Sequence, residues 1–599
     1  MASTAVTGGE AVVRALTAHG VTQAFGIPGT HNLEIYRHLA AYGIAHVTPR
    51  HEQGAGYAAD AYARVSGRPG VAITTTGPAL LNIAAAVGQA YSDSVPLLVV
   101  SPGMPLRHPR QSTGLLHEMR SQTEALRGVA AFSHRVSSVD EIGAAVARAF
   151  TLFATGRPRP VHIEIPLDLL EAAEEVREVR SAPPTGPQIP PASDLRQAVD
   201  ALRAASRPAL VLGGGARGAA VELLALAEEL SAPVVTTANG KGIVHESHPL
   251  SLGVSLHSPA VQKWLADRDV VLAVGTELAE SDLWSSAPPS LGGTLVRVDV
   301  DPAQMYAALP ADVALVGDAR QVLDVLVDEL GDAGAAQVGA GPGASARAVG
   351  LHLVRDTESG EARAGSVTPG AAKLRLADDA EGANDADDAD DADDDRADAP
   401  AAAVEEQVAA LRLARDAETR ERDARWLPYL RAIRTVIAAD AVITSDSAQC
   451  CYYGALPHLP IGPAARYLHP TGFGTLGYAL PAAIGAKTAY PDRQVIALSG
   501  DGGLQFSVQE LATAAQLHLP LPIVVFDNGG YGEIRDEMAA RGDAPAAVDL
   551  APVDLPALAR AYGGHGVHAT TPGALATALT RALATPGPTV ITVPEETAR

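Results

Sequence analysis

Cysteine is almost absent from this sequence: two among 599 residues, and the two, Cys450 and Cys451, are neighbours. Adjacent thiols are too close for an ordinary structural bridge, and two are too few for a zinc cluster, which excludes a disulfide-stapled scaffold and a cysteine-bound metal. Reduced thiols in a cytoplasmic protein are the expectation. Long apolar runs are missing as well. No stretch approaches ~18 uninterrupted apolar residues, so a membrane span is not expected. No basic stretch followed by an apolar run opens the sequence, so a signal peptide is not expected either. Nor is there a dense Lys/Arg face of the kind nucleic acid requires. Lys and Arg number 45 against 69 Asp and Glu, for a formal net charge of −24. That imbalance is uneven: Ala377–Asp398 holds 12 acidic residues and one arginine, a local net of −11. The tract reads as a solvated, self-repelling linker. A Ca²⁺ site is disfavoured, because the tract lacks the glycine-turned spacing of a calcium loop.

What is present is a repeated rhythm. A chain of 599 residues should hold several domains. Three stretches alternate short β-branched runs with longer helical patterns, which predicts α/β units built on parallel sheets with crossover helices. The units span about 1–180, 190–330 and 426–599, with an acidic, low-complexity linker over 331–425 that carries helical pieces near Val404–Arg415. Strands are expected at Val71–Thr76, Leu97–Ser101 and Val161–Ile165 in the first unit. The second, beginning after the Pro-rich stretch Ala182–Pro191, has them at Ala209–Leu212, Pro233–Thr237, Val270–Val274 and Thr294–Val300. The third has them at Ala441–Thr444, Gln494–Ser499 and Leu521–Phe526. A helix is expected from Glu52 to Val65, stopping near Gly67. Ligands of such sheets bind at the carboxyl ends of strands, so the Gly-rich turns after strands are where function should lie.

The strongest turn is Gly500-Asp501-Gly502, directly after a strand, followed by Asn528 at the end of the next strand. Glycines on both sides let the backbone approach an anion closely. Asp501 and Asn528 each offer oxygen, the ligand type Mg²⁺ prefers, and a diphosphate would complete the octahedron. A helix expected near Phe506 could add its N-terminal amides. In full, the pattern continues to Asp527-Asn528-Gly529-Gly530-Tyr531-Gly532. It resembles the thiamine-diphosphate motif of the acetolactate synthase-like superfamily. The resemblance implies Asp501, Asn528 and the Gly530 carbonyl as Mg²⁺ ligands. Gly500, Gly502, Gly503, Tyr531 and Gly532 would line the cofactor, and the fold would be three doubly wound domains: pyrimidine-binding, central and diphosphate-binding.

The second motif is Arg50-His51-Glu52-Gln53-Gly54-Ala55-Gly56. Glu52 opens a helix, where the dipole favours a carboxylate regardless of any chemistry. In the same superfamily, the segment beginning HEQ supplies the glutamate that hydrogen-bonds the cofactor's pyrimidine ring and activates it. Thr76-Gly77-Pro78-Ala79-Leu80-Leu81-Asn82 aligns Pro78 and Asn82 with pyrimidine-side contacts. Gly472-Phe473-Gly474-Thr475-Leu476-Gly477 aligns Leu476 with the apolar wedge between the cofactor's rings and the Gly474 carbonyl with the acceptor of its 4′-amino group. Ser445-Asp446-Ser447-Ala448-Gln449 sits where the family grips the diphosphate, through Ser447 and Gln449, but the usual His neighbour is Cys450. The resemblance further implies a homodimer or homotetramer with active sites between subunits.

The middle unit contains Gly213-Gly214-Gly215-Ala216-Arg217-Gly218, which formally fits GxGxxG. The following strand, Pro233–Thr237, lacks the acidic residue that a dinucleotide fingerprint expects. A structural domain is favoured over one that binds FAD. Gly26-Ile27-Pro28-Gly29-Thr30-His31, Leu116-His117-Glu118-Met119 and Gly530-Tyr531-Gly532-Glu533-Ile534-Arg535 resemble a narrower branch, the 5-guanidino-2-oxopentanoate decarboxylases. His117 is then a catalytic proton donor or a substrate contact, or merely a loop histidine. His31, His117 and Glu533 are the candidate substrate residues, and Glu533 could meet a cationic guanidinium. Asp536 is read as part of a solvated helix face. The expected activity is decarboxylation of a small 2-oxo acid, with acetolactate synthase-type carboligation of pyruvate as the alternative and a non-catalytic cofactor-binding paralogue as a third.

Overall fold

The computed structural model describes residues 5–108, 112–177, 181, 188–307, 309–338 and 399–595. The tract Ala377–Asp398 lies outside them. Val270–Val274, Val495–Gly500 and Leu521–Asp527 are apolar runs buried along all, or all but the last, of their residues. That is the pattern of parallel strands covered by helices on both faces. Such runs build three six-stranded sheets among the described residues, each parallel throughout. With strands numbered by chain order within each sheet, the first and third sheets run 2-1-3-4-6-5 and the central one runs 3-2-1-4-5-6. Strand order reverses beside strand 1 in each, which opens a crevice at the carboxyl ends there. In the first sheet the crevice lies between Gln23–Gly26 and Gly70–Ile73, and in the third between Val442–Ser445 and Val495–Gly500.

The Glu52–Ser66 helix ends at Gly67, whose φ of +71° is the left-handed cap that glycine adopts without penalty. Its small residues let it lie close along the Ala479–Ala489 helix: a Cβ on Gly485 would stand 1.9 Å from the Ala58 carbonyl oxygen. One hydrophobic cluster runs through this contact, so the first and third units share a core, while the central unit has its own.

One expectation is extended and another needs correction. The segment read as linker over 331–425 is helical at both described ends, since Ala319–Val338 continues the central unit and Ala399–Asp423 forms a 25-residue helix. This second helix buries Val408 against the central unit. Arg412 and Arg415 donate at 2.7 Å to the carbonyls of Ser251 and Leu252, and Glu418 accepts at 2.6 Å from the Ser258 hydroxyl. The apolar stripe of this helix is limited to Val404, Val408 and Leu411, and the rest of the hold is by charged side chains on an edge strand, which is why the pattern was faint. The helix expected near Phe506 instead starts at Asp501, as Asp501–Gln505, and a second runs Glu510–Gln516. Gly500 takes the extended N-cap conformation, so the helix opens on the acidic residue itself.

Candidate active site

One group of candidates gathers at the carboxyl edge of the first sheet. Glu52 is the first residue of its helix, capped by His51, whose Nδ1 accepts from the Gln53 N–H at 3.1 Å. Asn82 lies in the first turns of the Pro78–Ser92 helix and donates to the Glu52 carboxylate at 2.9 Å. Gly77 caps that helix at a φ of +62°, and a Cβ there would fall 2.5 Å from the His117 carbonyl oxygen, so the turn admits only glycine. His117 itself holds a φ of +61°, a conformation uncommon for a residue with a Cβ and concentrated at functional sites. Its ring stands edge to face with that of His31, centroids 5.3 Å apart. The Thr76 hydroxyl lies between them, 2.5 Å from His31 Nδ1 and 3.3 Å from His117 Nδ1. Burial, and then the neighbouring His117, lower the pKa of His31. Around this group Pro78 is exposed, as are Leu81 and Leu116 at 53% and 59%.

The other group lies at the carboxyl edge of the third sheet. Asp501 is buried; its Oδ1 accepts from the Asn528 N–H at 3.2 Å, and Asn528 Oδ1 accepts from the Gly530 N–H at 3.2 Å. Burial, and then the Asp527 charge, push the Asp501 carboxyl up to about 6. A Cβ on Gly502 would stand 3.1 Å from the Tyr531 ring and 3.4 Å from the Gly530 carbonyl oxygen. One on Gly532 would stand 2.5 Å from Asn528 Nδ2 and 2.9 Å from Gln449 Oε1. The glycines are thus what lets the two loops meet. One carboxylate, one amide oxygen and one backbone carbonyl converge here, a hard oxygen set that fits Mg²⁺. Among the described residues no group of three His, Cys, Asp or Glu could hold a metal ion. A cation on this set therefore needs further oxygens, such as those of a diphosphate.

Gln449 is buried; its Nε2 donates to Glu533 at 3.0 Å and to Asp536 at 2.8 Å, and its Oε1 accepts from Arg425 at 3.3 Å. Asp536, read as a bystander, thus shares Gln449 with Glu533. Gly474 is exposed at a φ of +62°, and Ser447 and Leu476 are half-buried. Cys450 turns its thiol toward the Ser499 carbonyl at 3.8 Å, so it does not stand in for the missing histidine.

Two residues that organise the site were not singled out in the sequence. Asp446 is buried and accepts from the N–H groups of Ser447 at 3.0 Å and Gly477 at 2.9 Å and from the Ser499 hydroxyl at 3.0 Å, which ties the Leu476 loop to the Gly500 strand. Burial raises its pKa to about 6 and these bonds oppose the rise. Its signal was an acid between serines directly after a strand. Glu510 accepts from the N–H groups of Arg50 and His51, both at 3.0 Å, and so anchors the start of the Glu52 helix to the third unit. Nothing local marked it. Among the described residues, no hydrogen bond or ion pair joins the side chains of Glu52, His31 or His117 to those of Asp501, Asn528 or Gln449.

A cleft of about 340 Å³ opens where the three units meet, lined by Gly213, Gly215, Arg157 and Glu277 among others. The N–H groups of Gly213 and Gly215 donate to the carbonyls of Val274 and Gly275 at 2.9 and 3.1 Å, and Arg157 pairs with Glu277. Backbone carbonyls thus take up these two amides of the Gly-rich turn.

The chain matches three family models: thiamine pyrophosphate enzyme, N-terminal TPP binding domain over residues 6–125, central domain over 195–326, and C-terminal TPP binding domain over 449–593. It is 40% identical over 561 residues to Probable 2-ketoarginine decarboxylase AruI of Pseudomonas aeruginosa, covering 93% of this chain and 88% of that protein. It is 29% identical over 596 residues to the acetolactate synthase isozyme 3 large subunit of Escherichia coli K12, covering 96% and 92%. To the acetolactate synthase large subunit of Parasynechococcus marenigrum it is 32% identical over 610 residues, covering 98% and 87%.

Proposed function

The chain belongs to the thiamine pyrophosphate enzymes, and on that footing we propose that it decarboxylates a guanidino 2-oxo acid, with thiamine diphosphate and Mg²⁺ held between two copies of the chain. The observation that carries this reading is the pair of half-sites: Glu52 steadied by Asn82 on one sheet edge, and Asp501, Asn528 and Gly530 gathered on another. Thiamine diphosphate, when bound, supplies the carbon nucleophile and the electron sink that allow CO₂ to leave. Every other task falls to the chain's own residues. Asp501, Asn528 and the Gly530 carbonyl would hold Mg²⁺, which would neutralise the diphosphate. Gly500, Gly502, Gly503, Tyr531 and Gly532 wall that end, together with Ser447 and Gln449. Glu52 would share a proton with the pyrimidine ring nitrogen. Pro78 would border the ring, the Gly474 carbonyl would accept from its amino group, and Leu476 would lie between the two rings of the cofactor. His31 and His117, bridged by Thr76, hold one proton for the substrate carbon from which CO₂ departs.

Two copies are invoked because both half-sites are rimmed by exposed apolar side chains: Leu81 and Leu116 at the first, Phe473 at 52%, Phe506 at 46% and Ile534 at 48% at the second. Exposed large apolar side chains beside a site suit an interface. The guanidino group is favoured by the paired acids Glu533 and Asp536 and by the name of the 40% identical relative.

Carboligation of pyruvate is the second reading, because acetolactate synthases align over nearly the whole chain. The presence together of Glu52, Asp501, Asn528 and Leu476 speaks against a non-catalytic paralogue. Product analysis after incubation with pyruvate and, separately, with 5-guanidino-2-oxopentanoate tests the proposal. It expects 4-guanidinobutanal and CO₂ from the second compound, and acetolactate from the first would replace it with the carboligase reading.

A further inference from the structure

The Ala399–Asp423 helix ends beside the third-sheet half-site, and its last turn lays Arg422 over a phenol ring. The guanidinium carbon stands 3.7 Å from the centre of the Tyr453 ring and 5.6 Å from that of Trp284. These two rings meet edge to face, centroids 4.9 Å apart, and the Tyr453 hydroxyl donates to Glu533 at 2.8 Å. Behind Trp284 the His257 ring stacks at 3.8 Å; burial, and then the charges of Arg415 and Arg422, lower its pKa to about 3 and leave it neutral. Trp284 holds a φ of +50°, an outlier for so bulky a residue, and 39% of it remains exposed. Two aromatic rings with a carboxylate on one phenol make a site suited to a planar cation, which stacks on ring faces and pairs with acids in a way that an ammonium does not.

We propose that Tyr453, Trp284 and Glu533 form the seat for the substrate's guanidinium, and that Arg422 keeps this seat in the substrate-free chain. The proposal rests on the guanidino-acid reading above. Glu533 follows Gly532, which packs against Asn528 and Gln449, so the seat adjoins the candidate metal loop. Arg422 can leave it at little cost. Its Nε donates to Asp423 at 2.7 Å and a terminal nitrogen donates to the same carboxylate at 3.3 Å, and when the side chain swings away Asp423 keeps the His458 ring as a partner at 2.9 Å. Its side chain is 33% exposed, which gives it a way out to solvent. Arg425 does not compete, because Gln449 and Glu595 hold it. Asp536 and Glu537 add negative charge on the same helix, which favours an incoming cation over an anion. The chain's own arginine thus shows which chemical group the seat accepts.

The test is titration calorimetry on the full-length protein with thiamine diphosphate and Mg²⁺ added, using 4-guanidinobutanoate as an unreactive guanidino probe and butanoate as its control. Arg422→Gln should bind 4-guanidinobutanoate about tenfold more tightly than wild type, the worth of one partly desolvated cation–π contact, with butanoate unchanged. Adding Trp284→Leu to Arg422→Gln should remove the gain. Equal or weaker binding of the guanidino probe by Arg422→Gln would overturn the proposal. So would a parallel loss for butanoate, which would make Arg422 a carboxylate contact. Release of CO₂ from 5-guanidino-2-oxopentanoate by wild type, followed alongside, separates the two ideas. Turnover without a gain in Arg422→Gln sinks the seat alone, and no turnover sinks the substrate reading on which the seat depends.

Discussion

Asp501 is one carboxylate among 69 acidic residues, and its surroundings set it apart. It is buried, lifted to about 6 by that burial and by Asp527, and it accepts from the Asn528 N–H, whose own side-chain oxygen accepts from Gly530. A buried carboxylate without a cation costs free energy, and a bound divalent ion relieves that cost. Asp501→Ala should therefore weaken Mg²⁺-dependent binding of thiamine diphosphate on the order of a hundredfold or more, as followed by quenching of intrinsic fluorescence. Unchanged affinity would move the metal elsewhere. Glu52, Asp501 and Asn528 were legible in the sequence because each stands beside glycines or a helix start that a one-dimensional pattern can display. The bridge of Thr76 between His31 and His117 was not legible, nor was the bond from Asn82 to Glu52. Those contacts depend on how strands and loops far apart in the chain are brought to one sheet edge. Asp536 is exposed, as a solvated helix face implies, and only the fold brings Gln449 against it.

At the scale of elements, strands such as Val270–Val274 and Leu521–Asp527 were read nearly to the residue, because continuous β-branched runs bounded by turns leave few alternatives. The Ala399–Asp423 helix was seen only in part, since its apolar stripe is short (Val404, Val408 and Leu411) and the rest of its hold on the central unit comes from Arg412, Arg415 and Glu418. The element contact that matters most for the site is that of the Glu52–Ser66 and Ala479–Ala489 helices. It sets Tyr478, just before one helix, against Tyr57, Asp60 and Arg64 of the other, and it depends on backbones meeting at Ala58 and Gly485. Gly485→Val would force overpacking worth about 1–3 kcal/mol or more. The variant should lose activity at a lower temperature than wild type in a thermal inactivation series, and an unchanged profile would show that the helices can part without loss.

For the whole molecule, the arrangement of two half-sites with exposed apolar rims makes a definite claim about assembly. If Glu52 of one copy faces Asp501 of another, neither an all-Glu52→Gln nor an all-Asp501→Ala preparation turns over. Mixing and refolding the two, however, should restore one intact site in each mixed pair. Recovery of roughly a quarter of wild-type activity is the expectation, because about half of randomly formed dimers are mixed and each carries one working site of two. No recovery, with mixed dimers shown to be present, would place the whole site within one chain.

The central claim is that Glu52 activates bound thiamine diphosphate, and exchange of the cofactor's C2 proton for deuterium, followed by NMR after rapid quenching, tests it most directly. Wild type should exchange that proton orders of magnitude faster than the cofactor free in water, and Glu52→Gln, still binding the cofactor, should lose about 10²- to 10⁴-fold of the rate. Exchange in wild type no faster than in water, or a Glu52→Gln variant as fast as wild type, would contradict the account.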